Sequence, residues 1–135
     1  MEKKLLMTIM ENLNSSINKA LEAFLYYDAL FKKISRVPGS NMERMHIFRN
    51  YTIRRYNLPQ TLPSLIMEIN DLINQHKESA IEFSRKEKYF IASNDFKLRS
   101  LTIEKVKSYL SQAKLLILRL NEVLEESDRR FGRKR

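Results

Sequence analysis

Apolar residues recur at alternating spacings of four and three along the first quarter of the chain. This spacing places them on one face of an α-helix, which repeats about every 3.6 residues. The sequence Val37-Pro38-Gly39 then ends the pattern, because proline and glycine both interrupt helices. We therefore expect a long first helix with the inner stripe Leu6, Met10, Leu13, Ile17, Ala20, Phe24, Tyr27, Phe31 and Ile34.

Two further helices are predicted in the middle of the chain. Ser40-Asn41-Met42-Glu43 is typical of a capping box, in which the Ser40 hydroxyl and the Glu43 carboxylate bond the first backbone amides of a helix. We expect this second helix to run to about Asn57, ahead of Pro59 and Pro63. A third helix follows, with an inner side formed by Leu62, Leu65, Ile69, Leu72 and His76 and, if it continues, by Ala80 and Phe83.

The pattern changes near residue 89. Two short aromatic and aliphatic runs, residues 89–93 and 96–101, flank Asn94-Asp95, which tolerates left-handed backbone, so a short β-hairpin is expected near residues 89–101. Thr102 is a suitable cap for a last helix. The inner stripe of that helix is Ile103, Val106, Leu110, Ala113, Ile117, Leu120 and Leu124.

The expected fold is all-α, a four-helix antiparallel bundle in which the long first and last helices pair. The 135 residues suit one domain, which we place at residues 1–127, followed by a basic and disordered tail at residues 128–135. The apolar stripes of the long helices extend beyond what the short second helix covers, so we expect a homodimer.

Composition limits the cellular setting and the chemistry. The chain contains no cysteine, which excludes disulfides and thiolate sites and suits a reducing compartment, so we expect a cytoplasmic protein. The apolar run at residues 5–10 is too short for a signal peptide or a membrane span, and no membrane partner is expected.

Basic residues are concentrated in particular segments of this chain of net charge +9. Residues 36–60 contain five Lys or Arg and one Asp or Glu, and residues 83–101 contain five and two. The last seven residues contain five more cations. Such segregation indicates an acidic partner, either nucleic acid or an acidic protein.

The second predicted helix carries the most informative side chains. On a helical wheel Arg44, Phe48, Tyr51 and Arg55 fall within about 60° of one another. One interpretation is a ridge that stacks on bases and pairs with phosphates. The other, which we favour, is that the two aromatic side chains pack in the core while the arginines extend over them to water.

Arg49 lies on the apolar arc of the same wheel, between Met45 and Ile53. A cation on such an arc needs a partner. We expect a buried ion pair with an acidic residue, for which Asp28 and Glu68 are suggestions, or else a site for a ligand phosphate or carboxylate. The ion pair is the favoured alternative.

No catalytic motif is present. The two glycines lie far apart, so there is no glycine-rich phosphate loop, and there is no Gly-x-Ser-x-Gly elbow. No Glu is followed three residues later by His, which argues against the metal sites of helical bundles. We expect no catalytic residues, no metal and no cofactor.

The pair Arg49-Asn50 in a small helical domain resembles the HEPN superfamily. The ribonuclease members of that superfamily use an arginine and a histidine that are separated by six residues. Positions 54, 55 and 56 hold Arg, Arg and Tyr where that histidine is expected. The resemblance covers two residues and implies a non-catalytic relative, so the ribonuclease activity is not carried over.

Two functional hypotheses follow. The first is a non-enzymatic module that binds nucleic acid with little sequence specificity. Its candidate contact residues are Arg44, Phe48, Tyr51, Arg54, Arg55, Arg85, Lys86, Lys88, Arg129, Arg130, Arg133, Lys134 and Arg135. The second is a protein-interaction module or regulatory small subunit that docks an acidic partner through its apolar stripes and basic connectors.

Overall fold

The chain is mostly helical, with one small antiparallel sheet. The computed structural model describes residues 3–78, 81–85, 88–92 and 98–130. In chain order the elements are α1 (Lys3–Leu30), α2 (Asn41–Ile47), a π-helix (Phe48–Thr52), α3 (Ile53–Arg55), α4 (Leu62–Glu78), β1 (Ile81–Arg85), β2 (Lys88–Ala92), β3 (Leu98–Thr102) and α5 (Ile103–Arg130). No helix within these ranges is both long enough and apolar enough to cross a membrane.

Ser40 and Thr102 are confirmed as N-cap residues. The Ser40 hydroxyl accepts a hydrogen bond from the Glu43 backbone amide at 3.1 Å, and the Thr102 hydroxyl accepts one from the Lys105 amide at 3.1 Å. The first helix ends earlier than predicted, at Leu30, because Lys32 adopts a left-handed backbone conformation with φ of 58°. Its amphipathic stripe is therefore shorter than the sequence pattern indicates.

A π-helix interrupts the second predicted helix. Residues 41–55 form one continuous helical stretch, but Phe48–Thr52 has π geometry. A π turn closes each hydrogen bond one residue later than an α turn, so it rotates the residues that follow. Positions calculated for an ordinary α-helix are therefore displaced after residue 48.

The third predicted helix ends at Glu78, and its extension to Phe83 is wrong, whereas Ala80 lies outside the described residues. Residues 81–85 instead form β1, which pairs with β2, and β2 pairs with β3, all antiparallel. The β2–β3 pair confirms the expected hairpin, with Tyr89 opposite Leu101. Its predicted turn residues Asn94 and Asp95 lie outside the described residues.

The core lies where α1 meets α4 and α5. Among its fully buried side chains are Met10, Ile17, Phe24, Phe48, Leu62, Ile66, Ile69, Ile91, Leu101 and Leu116. The stripe predicted for the last helix is divided. Val106 and Ala113 are buried, whereas Leu110, Ile117 and Leu124 are exposed.

The first and last helices run in the same direction. Ile9 of α1 lies beside Leu110 of α5, and Tyr27 lies beside Val123. An alternating antiparallel bundle of four helices would set them in opposite directions. The second helical stretch covers only part of α1, from the cleft that it shares with Asn14 to the contact of Tyr56 with Phe24. It does not return the chain along the length of α1.

The last helix continues to Arg130. Three residues that the sequence assigns to the basic tail, residues 128–130, are therefore helical. Residues 131–135 lie outside the described residues.

Candidate functional site

A cleft lies between α1, the second helical stretch and α4. Its volume is about 790 Å³, within the size range of ligand sites in proteins. The lining residues are Asn14, Asn18, Leu21, Asn41, Met42, Arg44, Met45, His46, Arg49, Asn50, Met67, Asn70, Ile73, Asn74 and Lys77. We call this feature the amide cleft.

Three helical segments each contribute a pair of polar side chains to the amide cleft. Residues four apart lie one above the other on a helix, as do Asn14 and Asn18 on α1. Asn70 and Asn74 form the same arrangement on α4, and His46 and Asn50 form a third. Each asparagine amide both donates and accepts hydrogen bonds, so these walls match ligands that carry donors and acceptors together.

The third pair is held together by hydrogen bonds. The Asn50 side-chain amide donates to the backbone oxygen of His46 at 2.8 Å and lies 3.1 Å from His46 Nδ1. These contacts link the side chain of Asn50, in the π-helix, to His46 one turn before it. Single π turns in proteins are frequent at functional sites.

The amide cleft is positively charged. Arg44, Arg49 and Lys77 line it, and no Asp or Glu is among its lining residues. Arg44 is partly committed, because its Nε donates to the Pro38 carbonyl at 2.7 Å and its Nη1 lies 4.0 Å from a Glu22 carboxylate oxygen. The exposed Lys77 and Arg49 therefore provide most of the charge available to a ligand.

Arg49 is exposed, so the buried ion pair expected there does not form at this residue. Its Nη2 instead donates to the Met67 sulfur at 2.9 Å, and a thioether is a weak acceptor. The arc itself explains the difference, because Met42 and Met45 line the same cleft as Arg49 and this side of the helix does not face the core. The alternative prediction, that Arg49 serves an anionic ligand, fits its place in the cleft.

The acidic residue Asp28 is paired instead with Arg55, whose own side chain is 27% exposed. Its Nη1 lies 2.7 Å from a carboxylate oxygen of Asp28, which is fully buried. The other Asp28 oxygen accepts a hydrogen bond from the Tyr56 hydroxyl. Burial raises the pKa of Tyr56 far above its usual range, and the Asp28 carboxylate adds to that effect. We call Asp28, Arg55 and Tyr56 the buried corner.

The buried corner joins three segments of the fold. The Tyr56 ring packs on Phe24 with centroids 5.1 Å apart, and the Lys33 ammonium lies 5.7 Å from the same ring. Arg119 of α5 donates from Nε to the Tyr56 carbonyl at 2.6 Å. The corner therefore ties α1 to α5 through the end of the second helical stretch.

A small hollow of about 190 Å³ beside the corner is lined by four cations and one carboxylate. Its cationic lining residues are Lys33, Arg55, Arg119 and Arg130. Each of the three arginines pairs with a carboxylate: Asp28 for Arg55, Glu122 for Arg119 at 2.8 Å, and Glu126 for Arg130 at 3.7 Å. These pairs cancel most of the charge, so the hollow is a weaker anion site than the amide cleft.

The four side chains of the alternative ridge interpretation do not form a continuous ridge. Phe48 is fully buried in the core, as the favoured interpretation expects, whereas Tyr51 is 53% exposed. Arg55 is held by Asp28, and Arg44 lines the amide cleft. Arg54 is exposed and lies outside the cleft. Aromatic and basic side chains therefore do not form one stacking surface here.

The remaining predicted basic residues lie away from the amide cleft or cannot be placed. Lys88 is exposed on β2, Arg129 is exposed near the end of α5, and Arg130 pairs with Glu126. The backbone of Arg85 ends β1. Four residues lie outside the described residues: Lys86, Arg133, Lys134 and Arg135.

Sequence reasoning missed Lys77 and the asparagines of the cleft. The available signal was the pairing of Asn14 with Asn18 and of Asn70 with Asn74 at helical spacing, beside otherwise apolar stripes. No group of three or more His, Asp or Glu side chains suited to a metal occurs in the part of the chain that the structure describes. No protein-family model, curated protein or solved structure matches the chain.

Proposed function

We propose that the protein binds single-stranded nucleic acid in the amide cleft. The observation that carries this proposal is the lining itself, in which three permanent cations and six asparagines face one another without a carboxylate. Phosphates require cations, and the edges of bases require groups that donate and accept. The cleft combines both along its walls.

Each component of a nucleotide has a counterpart in the cleft. Arg49 and Lys77 are exposed and suited to the phosphate backbone. The asparagines can bond the base edges, which are accessible only in unpaired strands of RNA or DNA. Three methionines, Met42, Met45 and Met67, supply adaptable apolar surface for base faces. The size of the cleft suits a few unpaired nucleotides rather than a duplex.

The proposal includes finer features that the sequence predicts. In it, the helices act as a bundle that holds the walls of the cleft, the protein works as a homodimer, and it meets its ligand in the cytoplasm. The basic segments outside the cleft, such as Arg54 and Lys88, supply a weaker and nonspecific attraction for the same polyanion.

Fluorescence polarisation of labelled oligonucleotides tests the proposal, with single-stranded RNA, single-stranded DNA and a duplex compared at low and physiological salt. Arg49→Gln removes a cleft cation, and Arg54→Gln is its matched control, because both arginines are exposed and lie in the same helical stretch. We expect Arg49→Gln to weaken single-strand binding about tenfold and Arg54→Gln less than about twofold. With three cleft cations engaged, the slope of log affinity against log salt is about −2.

A neutralised tail separates the cleft from residues 131–135. The variant Arg133→Gln/Lys134→Gln/Arg135→Gln keeps the full length of the chain. Single-strand binding that survives in this variant and falls with Arg49→Gln supports the cleft. Binding that is lost with the tail charges, or that weakens equally with Arg49→Gln and Arg54→Gln, contradicts it.

A further inference from the structure

Most asparagine side chains of the amide cleft have no partner within the described residues. Asn50 is hydrogen-bonded to His46, whereas the side-chain amides of the other five form no hydrogen bond there. These five are Asn14, Asn18, Asn41, Asn70 and Asn74. Asn14 and Asn70 are half-buried, so they lose part of their hydration without gaining a bond inside the protein. A ligand that bonds these two amides supplies the missing hydrogen bonds.

A side-chain amide recognises a particular pattern on a base. Its oxygen accepts and its NH₂ group donates, side by side in one plane, so it pairs with a base edge that has a donor beside an acceptor. Adenine has this pattern at N6 and N7, and asparagine is a preferred partner of that edge. In an unpaired adenine N1 is also free, so N6 and N1 form a second edge of the same kind. The amino group at N6 has two hydrogens and serves both edges at once.

The other bases match two facing amides less well. Guanine presents two acceptors, O6 and N7, on the edge where adenine presents a donor and an acceptor. Cytosine and uracil each have a single ring nitrogen between two exocyclic groups, so they offer the pattern to one amide at a time. A carboxylate would select the cytosine amino group, and the residues that line the cleft include no Asp or Glu. Adenine is therefore the base that suits amides on two sides.

The cleft supplies amides from two sides. Asn14 lies on α1 and Asn70 on α4, and these helices form two of its walls. Asn18 and Asn74, four residues further along their helices, repeat the arrangement one turn away. Met45 of the second helical stretch is half-buried and offers an apolar surface to the face of a ring. A flat base between α1 and α4 can therefore meet an amide at each edge.

We propose that the amide cleft selects adenine, which is held between an amide of α1 and an amide of α4. The selection rests on the proposed binding of single strands, to which it adds the identity of the base. Asn14 and Asn70 pair with the two edges of the ring, and Arg49 and Lys77 neutralise neighbouring phosphates. Strands that contain adenine are therefore preferred over strands of uracil or cytosine.

Three RNA strands that differ only at their centre test the selection by fluorescence polarisation. A short uracil strand carries two central adenines, two central 7-deazaadenines, in which a C–H group replaces N7, or no substitution. We expect the adenine strand to bind about tenfold more tightly than the uracil strand and about fivefold more tightly than the 7-deazaadenine strand. Equal affinity for the three strands, with binding still weakened by Arg49→Gln, overturns adenine selection and leaves the proposed function intact. No binding of any strand overturns both.

Asparagine variants test whether the amides of the cleft read the base. In at least one of Asn14→Ala and Asn70→Ala, the amide that faces N7 is absent, so the adenine and 7-deazaadenine strands should bind equally. Asn12→Ala is the matched control, because Asn12 is an exposed asparagine of α1 that does not line the cleft, and it should keep the fivefold difference. Circular dichroism checks that all three variants are folded. A fivefold difference that persists in both cleft variants contradicts recognition by these amides.

Discussion

Two arginines six residues apart have different partners in this protein. Arg55 belongs to the buried corner, where its guanidinium is bound to the fully buried Asp28. Arg49 belongs to the amide cleft, where it is exposed and touches a methionine sulfur. The buried carboxylate of Asp28 needs a cationic partner, so Arg55 has a structural role in the corner. A hydrated charge in a concave site can still bind a ligand, and Arg49 in the amide cleft is such a charge.

The largest expected effect concerns the buried corner. Asp28→Ala leaves the Arg55 guanidinium and the Tyr56 hydroxyl without their acceptor, and removing one partner of a buried pair costs about 3 kcal/mol in the free energy of unfolding. Glu22→Ala on the same helix is the control, because the exposed Glu22–Arg44 pair contributes less than about 1 kcal/mol. Urea denaturation measures both. Equal losses in the free energy of unfolding for the two variants would contradict the structural role assigned to the buried corner.

A smaller loss is expected for Tyr56→Phe. It removes one hydrogen bond to Asp28 and costs about 1 to 2 kcal/mol near neutral pH. Because burial raises the pKa of Tyr56 in the folded state, the unfolded chain loses this proton first as pH rises. The stabilisation is therefore complete below about pH 10 and is lost above it. The urea midpoint should therefore decrease more between about pH 9 and pH 11 in the unmodified chain than in Tyr56→Phe.

Arg49→Gln and Arg55→Gln test directly whether the first arginine serves binding and the second serves stability. Arg49→Gln is expected to change the free energy of unfolding by less than about 0.5 kcal/mol, because Arg49 is exposed, and to weaken oligonucleotide binding. Arg55→Gln is expected to reduce stability by about 2 kcal/mol, because Asp28 loses its cation. Thermal unfolding and polarisation titration on the same samples check both. A loss of stability with Arg49→Gln would place it in the core network.

The smallest effect is expected for an amide of the cleft. Asn74→Ala removes hydrogen-bonding groups without changing charge, so binding should weaken about threefold while the salt dependence stays the same. Polarisation titration at several salt concentrations measures both quantities. A changed salt slope would indicate that the variant had shifted Lys77, one turn away on the same helix.

Much of the helical framework could be predicted because its signals are local. Ser40 and Thr102 cap helices through hydrogen bonds within three residues, and Pro38 and Gly39 interrupt the chain wherever they occur. The strand at residues 81–85 could not be predicted in the same way. Ile81 and Phe83 fit both a helical stripe and an alternating strand, and pairing with β2 decides between them.

Less of the candidate site could be predicted, because it depends on tertiary geometry. The sequence predicted that Arg49 needs an acidic partner and suggested Asp28, but Asp28 pairs with Arg55, which only the packing of the helices decides. Leu110 and Ile117 have the spacing of core residues, yet they face outward because α1 covers the neighbouring stripe. The asparagines are ordinary surface residues until three helices bring them to one cleft.

The most direct test of the central claim is a nuclear magnetic resonance titration of the ¹⁵N-labelled chain with single-stranded oligonucleotide. Binding in the amide cleft predicts amide shift changes concentrated at residues 14–21, 41–50 and 67–77. It also predicts that Arg49→Gln needs about tenfold more oligonucleotide to reach these changes, and that the amides of the buried corner shift little in either chain. Shift changes confined to Arg54, Lys88 and the C-terminal residues, or their absence at saturating oligonucleotide, would contradict the assignment of the cleft.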